Sequence, residues 1–361
     1  QGNAVDLSHA ALVPLAAYPV DSLNPHVTAI TSVTEDGWYK AGTEINISAV
    51  FNEALAADGG VITAVLNTGE SVILNQWDQD NTLSGTYVVG ASSNSVDLAV
   101  TKITIDTAPQ DLAGNAMTEA GETHQLALTN LDVNRAIVVD TIAPLAPSKP
   151  DLDTFSDTGL GNADNHTKIA VNTSVSGTAE AGAKITLVDE DPDTLSRTLL
   201  GETQADENGH WSFVFTEGLD DGSYDIRASA TDRAGNEGPF SEALRISIDT
   251  IKPTVTGISI PDAPMKVGDV VVATIGVEDD QGDPFNFYNV QGTVNGFALG
   301  NLTRVNATTY NATFTVTEGG NDVAAGGSIA VEGLTVDDSA GNRSDVVTTA
   351  IAQASDAIDA N

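Results

Sequence analysis

Two short strings recur along this chain at a common spacing, and no other feature narrows the fold as far. The first, Asp-x-Ala-Gly-Asn, runs from Asp111 to Asn115, from Asp232 to Asn236 and from Asp338 to Asn342, with a truncated echo at Gln1-Gly2-Asn3. Its asparagines are 112, 121 and 106 residues apart. The second, apolar-Asp-Thr/Ser-x-x-Pro, is centred on Asp21, Asp140 and Asp249, and Ile358-Asp359-Ala360-Asn361 reads as a fourth copy cut short. Its aspartates are 119, 109 and 110 residues apart. Internal self-similarity at a fixed period marks tandem structural units.

A unit of about 110 residues suits a β-sandwich of seven or so strands. The side-chain pattern agrees. Ile45, Ile47, Ala49 and Phe51 alternate with more polar neighbours, as do Trp211, Phe213 and Phe215, then Tyr224, Ile226, Ala228 and Ala230, then Tyr310, Ala312, Phe314 and Val316. Period-two alternation signals half-buried strands. Asn208-Gly209 and Asp221-Gly222 mark tight turns, and no long amphipathic helix is predicted. Tyr39-Lys40-Ala41-Gly42 matches Met265-Lys266-Val267-Gly268, each ahead of an alternating strand that ends in acids: Glu53 in one, Glu278-Asp279-Asp280 in the other. The expected fold is all-β, with tandem Ig-like β-sandwich domains in an elongated array. Residues 1–22 form the end of a preceding repeat or an arm. Residues 23–141, 142–250 and 251–361 are the three repeats. Trp38 and Trp211 are assigned to their cores.

Charge sets the chemistry. Asp and Glu number 51 against 14 Lys and Arg, a formal net charge of -37. Such a surface repels nucleic acid and anionic membranes. Solubility or a salty habitat explains it at the bland end; a calcium protein explains it more sharply, because Ca²⁺ is a hard ion that seeks carboxylate oxygens. There is no cysteine, which excludes disulfides and thiolate metal sites and leaves metal binding as an available staple. No apolar run is long enough to span a bilayer. No signal peptide is visible at the N-terminus, so the chain reads as the interior of a larger protein.

Ca²⁺ takes six to eight oxygens at about 2.3–2.6 Å. In Asp-x-Ala-Gly-Asn the glycine permits a backbone turn, and the Asp and Asn offer oxygens at one pole of the sandwich. The linker aspartate is placed at that same pole. This pairs Asp111 with Asp140, Asp232 with Asp249, and Asp338 with Asp359, with Asn115, Asn236 and Asn342 adding ligands or holding the turn. Asp21, Glu53 and Asp279 join the candidate set. So does the acidic loop that follows a joint, with Asp151, Asp153, Asp157, Asn162, Asp164 and Asn165. Asp189, Asp191 and Asp193 imitate the start of an EF-hand, but Thr194 and Leu200 stand where the hand needs Gly and Glu; a hairpin tip is expected.

Catalysis is not expected. The five histidines show no metal-ligand spacing, and neither a Gly-x-Ser-x-Gly elbow nor a P-loop is present.

Several strings resemble the bacterial Ig-like extender repeats of giant biofilm-associated and type I-secreted RTX adhesins. They are Asp-Thr-x-x-Pro at the joints, Gly177-Thr178-Ala179-Glu180-Ala181-Gly182-Ala183, Asn208-Gly209-His210-Trp211-Ser212, Asp220-Asp221-Gly222-Ser223-Tyr224 and Thr231-Asp232-Arg233-Ala234-Gly235-Asn236. The middle repeat matches throughout, the outer two at their ends and at the Lys-x-Gly strand. The resemblance implies a monomeric extender on the bacterial surface, exported by type I secretion, with several Ca²⁺ ions at domain junctions. Its partners would be neighbouring repeats of the same polypeptide, while a host or biofilm glycan or peptide would be met by other domains. The Gly-Gly-x-Gly-x-Asp nonapeptides of the secretion-signal end are absent from this sequence. The competing reading is a ligand-binding tip, with Trp77, or Phe285, Phe287 and Tyr288, stacking on a sugar ring beside acids; core packing is the favoured role for these aromatics, and spacer is favoured over tip.

Overall fold

The alternating residues fall where their period places them. Ile45, Ile47, Ala49 and Phe51 are all buried along the strand Glu44–Phe51, and Tyr310, Ala312, Phe314 and Val316 are buried along and just beyond Thr309–Thr315. A computed structural model describes residues 20–57, 60–77, 81–122, 128–159, 161, 163–278, 289–352 and 357–361. It is nearly all β, with one short helix, Leu131–Asn134, among the described residues. None of the helical segments described is long and apolar enough to cross a membrane.

Contacts divide the chain into two compact units. The first comprises Gln1–Ile142 together with Ala234–Asn236. Here one sheet orders Val27–Thr31, Glu44–Phe51, Thr82–Val88 and Gln76–Trp77. A second orders Ser71–Leu74, Val61–Leu66, Val100–Thr107 and Gly121–Glu122. Gly37–Tyr39 runs parallel to Ile137–Val139 at the edge. Val27, Ile30, Ile47, Leu83, Ile103 and Val139 belong to the single apolar core between them.

The second unit, Ala143–Arg233 and Glu237–Asn361, holds two sandwiches with two separate cores. One pairs a three-stranded sheet of Asp151–Leu152, Thr173–Thr178 and His210–Phe215 with a five-stranded sheet of His166–Thr167, Leu244–Ile248, Gly222–Thr231, Lys184–Glu190 and Arg197–Gln204. Gly177 lies opposite Trp211 across the ladder, and a Cβ there would sit 2.6 Å from the indole. The missing side chain lets the buried ring of Trp211 lie flat on its neighbour strand. The other sandwich repeats the plan of the first unit. Its sheet Val255–Ser259, Val270–Val277, Thr309–Thr315 and Gly300–Asn306 has the same order. The register slips between Val255 and Gly257 as it does between Val27 and Ala29, and Met265–Lys266 runs parallel to Ile358–Asp359.

Trp38 departs from expectation. It lies on the exposed parallel edge strand, 44% accessible, and lines a cavity of about 360 Å³ with Val96, Val138 and Ile142. An edge strand has core on one face only, so alternation turns Trp38 outward while Tyr39 packs inward. Trp77 packs against the first core. Phe285, Phe287 and Tyr288 lie outside the described residues.

Because the cores are separate, damage to one should stay local. Ile47→Ala is expected to cost about 2–5 kcal/mol in the first repeat alone. Differential scanning calorimetry should show one transition lowered and those of the other repeats unmoved.

Candidate metal centre

The Asp-x-Ala-Gly-Asn string builds a self-braced loop. Asp111 Oδ1 accepts the backbone N–H groups of Ala113 and Asn115 at 2.8 Å each, and Asn115 Nδ2 donates to Asp111 Oδ2 at 2.7 Å. The third copy repeats this: Asn342 N donates to Asp338 Oδ1 at 2.8 Å and Asn342 Nδ2 to Asp338 Oδ2 at 3.0 Å. Gly114, Gly235 and Gly341 share φ values of 90°, 87° and 89°, a left-handed conformation that glycine adopts without strain. Asp111 is 2% exposed, and Asp338 is fully buried. Burial pushes the Asp111 carboxyl up, but the hydrogen bonds from Asn115, Ala113 and Gly114 outweigh it and hold the group below the ordinary carboxylate range.

Each loop meets the linker that enters its own repeat, which corrects the pairing expected from sequence. Asn115 Nδ2 donates to the main-chain oxygen of Asp21 at 3.3 Å, Asn236 Nδ2 to that of Asp140 at 3.0 Å, and Asn342 Nδ2 to that of Asp249 at 2.9 Å. Asp111 therefore belongs with Asp21 and Asp338 with Asp249; Asp140 and Asp359 stand where the chain leaves a sandwich. The strand that follows the loop carries the chain to the opposite pole, so nearness in sequence misleads. The linker aspartates also share one local role. Oδ1 of Asp21, Asp140 and Asp249 accepts the N–H two residues on, at 3.0, 3.0 and 2.9 Å, and Asp359 does so at 3.3 Å. These are Asx turns.

At the entry of the first repeat, three carboxylates converge. Asp21, Glu53 and Asp111 each offer an oxygen, all within 4.8 Å of one another. Ligands on opposite sides of one Ca²⁺ are about 4.6–5.2 Å apart, so the three fit around a single ion. Within the loop, Asp111 Oδ1 accepts two hydrogen bonds at 2.8 Å and Oδ2 one at 2.7 Å, so Oδ2 is the oxygen with room for a further partner. Among the described residues, no ion pair involves any of the three. A buried carboxylate flanked by two more is costly without a counter-charge, and a hard divalent cation of oxygen preference meets that need. Glu53 closes the strand Glu44–Phe51 by way of Asn52, whose Nδ2 bonds it at 2.9 Å.

A second acidic pair sits in the second unit. Asp157 is 6% exposed, and its Oδ1 is buried without a hydrogen-bond partner. Burial first, then the hydrogen-bonding and charged Asp164 carboxyl beside it, pushes the Asp157 carboxyl up to about 6. Gly159 makes the close approach possible: a Cβ there would lie 2.6 Å from Asp164 Oδ1 and 2.7 Å from the main-chain oxygen of Ser339. The Asp164 carboxylate and the Ser339 carbonyl thus crowd one point.

The other acids divide differently. Asp153 accepts the hydroxyls of Ser174 and Ser176 and braces two strands instead of facing Asp157. Asp151 is exposed on a short strand. Asp232 is buried. Asn165 holds a left-handed turn at φ 59°. Asn162 and Asp279 lie outside the described residues. Asp191 caps the hairpin tip at Asp193 and Thr194, as expected for the EF-hand mimic, and the neighbouring Glu190 is neutralised by Arg197 and Arg227.

Sequence reasoning missed the basic residues of the poles. Lys40 Nζ donates to the main-chain oxygen of Gly235 at 2.9 Å, and Lys168 Nζ to that of Gly341 at 2.7 Å. The Lys-x-Gly match between the first and third repeats was the available signal for Lys40; Lys168, followed by Ile169 and Ala170, carries no such signal.

Residues 143–250 match the family model of the bacterial Ig-like domain. Among solved structures, the chain is similar to the Escherichia coli adhesin FdeC, at 15% identity over 93% of this chain and 99% of that one, with a TM-score of 0.39. It is also similar to a tetra-tandem repeat in the extending region of a large adhesion protein, at 19% identity over 93% and 75%, with a TM-score of 0.26. No curated protein matches the chain.

The Asp157 carboxyl gives a pH signature. Its folded value near 6 lies above the ordinary one, so its contribution is fully present below about pH 4 and is lost as pH rises through about 6. In metal-free buffer the second repeat is therefore expected to lose about 1 kcal/mol between pH 5 and 7 through this group. Asp157→Asn should remove that step from a series of thermal melts.

Proposed function

We propose that this chain is a non-enzymatic extender segment of a bacterial cell-surface adhesin, stiffened at its joints by Ca²⁺. The observation that carries the calcium is the convergence of Asp21, Glu53 and Asp111 within 4.8 Å at the point where a linker enters a sandwich. The extender role is supported by the tandem sandwiches, the bacterial Ig-like match over residues 143–250, and asparagine side-chain bonds to the main chain that tie each loop to the linker before it. An ion bridging Asp21 of the linker to Glu53 and Asp111 of the sandwich would restrict the swing of the linker and convert carboxylate repulsion into shared coordination. Extracellular modules hold Ca²⁺ with Kd on the order of 10⁻⁴–10⁻³ M, so such a site fills outside a cell and empties in a cytosol. The acidic pair of Asp157 and Asp164 is a further place where an ion would relieve repulsion.

Isothermal titration of the metal-free chain should show Ca²⁺ binding in that range, with one site weakened at least tenfold by Glu53→Gln. Glu53 serves better than Asp111, whose removal would also unbrace the loop. Unchanged titrations in the variant would remove Glu53 from the site. Small-angle scattering with millimolar Ca²⁺ and then with EDTA tests the stiffening. Chelation should broaden the distribution of dimensions, and an identical profile would contradict the extender mechanism.

A further inference from the structure

The basic residues at the exits of the repeats form a series of their own. Lys40 and Lys168 directly follow, and Lys266 ends, the first strand of the short parallel pair that closes a sandwich, beside Asp140, Asp249 and Asp359. Asp140 N bonds Tyr39 O and Asp249 N bonds Thr167 O, at 3.0 and 2.9 Å; Lys266 is registered directly with Asp359. A polar side chain caps the next N–H of each linker. Asn94 accepts from Thr141, Asp221 from Thr250 and Asp322 from Ala360, at 2.9, 3.0 and 2.8 Å. The three exit poles are thus built alike from separate stretches of sequence.

Two of the three poles engage the same object. Lys40 and Lys168 donate to the glycine carbonyl of an Asp-x-Ala-Gly-Asn loop, while the asparagine beside that glycine donates to the carbonyl of the adjacent linker aspartate. The left-handed glycine turns its carbonyl out of the loop toward the lysine. At Gly341 no other residue fits, because a Cβ would also lie 2.3 Å from Thr158 O. Thr158 adds a bond from its hydroxyl to Ala340 O at 2.8 Å. Lys168 also brings a positive charge to an acidic pole, where it assists Arg343, the chief cause, in holding the Asp337 carboxyl below its ordinary range against burial.

We propose that Lys40, Lys168 and Lys266 are metal-independent latch residues, and that the pole of Lys266 and Asp359 is a docking surface for the Gly-Asn corner of a further repeat's Asp-x-Ala-Gly-Asn loop. Lys266 and Asp359 are both exposed, and the pole already carries its Asp322 cap. The loop of a second copy is a poor occupant: Asn115 in the first repeat is committed to Asp21, and the second and third loops are engaged with Asp140 and Asp249. A repeat joined covalently after Asp359 presents a loop whose asparagine has the Asp359 carbonyl as its nearest equivalent acceptor. The latch uses ammonium and amide donors on carbonyls, so it fails separately from the calcium reading: EDTA removes one and a lysine substitution the other.

The cysteine-free chain makes the test clean. Spin labels on Ser196→Cys and Val305→Cys report the distance between the second and third repeats by pulsed electron resonance. In EDTA, Lys168→Met is expected to broaden the distance distribution at least twofold, while Lys168→Arg retains most of the native width. An unchanged width in Lys168→Met would overturn the latch. For the docking surface, the full chain is extended by attaching a copy of residues 250–361 after Asp359, with one label at Val305→Cys and one at the same position of the added copy. Lys266→Met should broaden that distribution as Lys168→Met does at the existing joint. Equal widths with lysine and methionine at 266 would overturn the docking proposal even if the Lys168 latch held.

Discussion

The hydrogen bond from a loop asparagine to the carbonyl of the preceding linker aspartate sets everything else at the poles. It occurs three times, at Asn115, Asn236 and Asn342, in loops of matching glycine conformation. By fixing the linker against the loop, it also brings the Asp21 carboxylate of the first linker toward the buried Asp111. A neutral bond of modest strength thus gathers like charges, and the pole then needs something positive. The proposed calcium among Asp21, Glu53 and Asp111 and the proposed latch of Lys40 and Lys168 would each bring positive charge to such a pole.

The two have different chemistry. A lysine on a carbonyl neither requires nor excludes an ion, and it does not depend on the composition of the medium. A carboxylate cluster does. An array fastened in both ways would keep its repeats in order where calcium is scarce and stiffen where it is plentiful. The chain's small stock of basic residues makes their placement informative: of 14 Lys and Arg, two bind glycine carbonyls of the recurring loops, and Arg197 and Arg227 neutralise one buried glutamate.

Much of the fold was legible because β-structure writes itself in a period of two. The burial of Ile45 through Phe51 and of Tyr310 through Val316 follows from alternation alone. Trp38 was misjudged because alternation does not say which strand is an edge. The poles were legible in membership but not in partnership. Asp111, Asp21 and Glu53 were all candidates, yet the loop was paired with the exit aspartate nearer in sequence. A repeat gives the same spacing whichever neighbour is chosen; only the reversal of the chain by the strand after the loop decides it. Asp153 was indistinguishable from Asp157 by composition, and the serine hydroxyls that claim it lie on a strand some twenty residues later. Lys40 and Lys266 were seen only as part of a matching string and Lys168 not at all, since a donor to a backbone carbonyl leaves no side-chain partner to find.

Crystals grown with Ca²⁺ and measured at a long wavelength would locate the ion through its anomalous scattering. A peak is expected among Asp21, Glu53 and Asp111, with an oxygen of each about 2.3–2.6 Å away. A map without a peak there, at a calcium concentration that saturates the chain in solution, would contradict the calcium site.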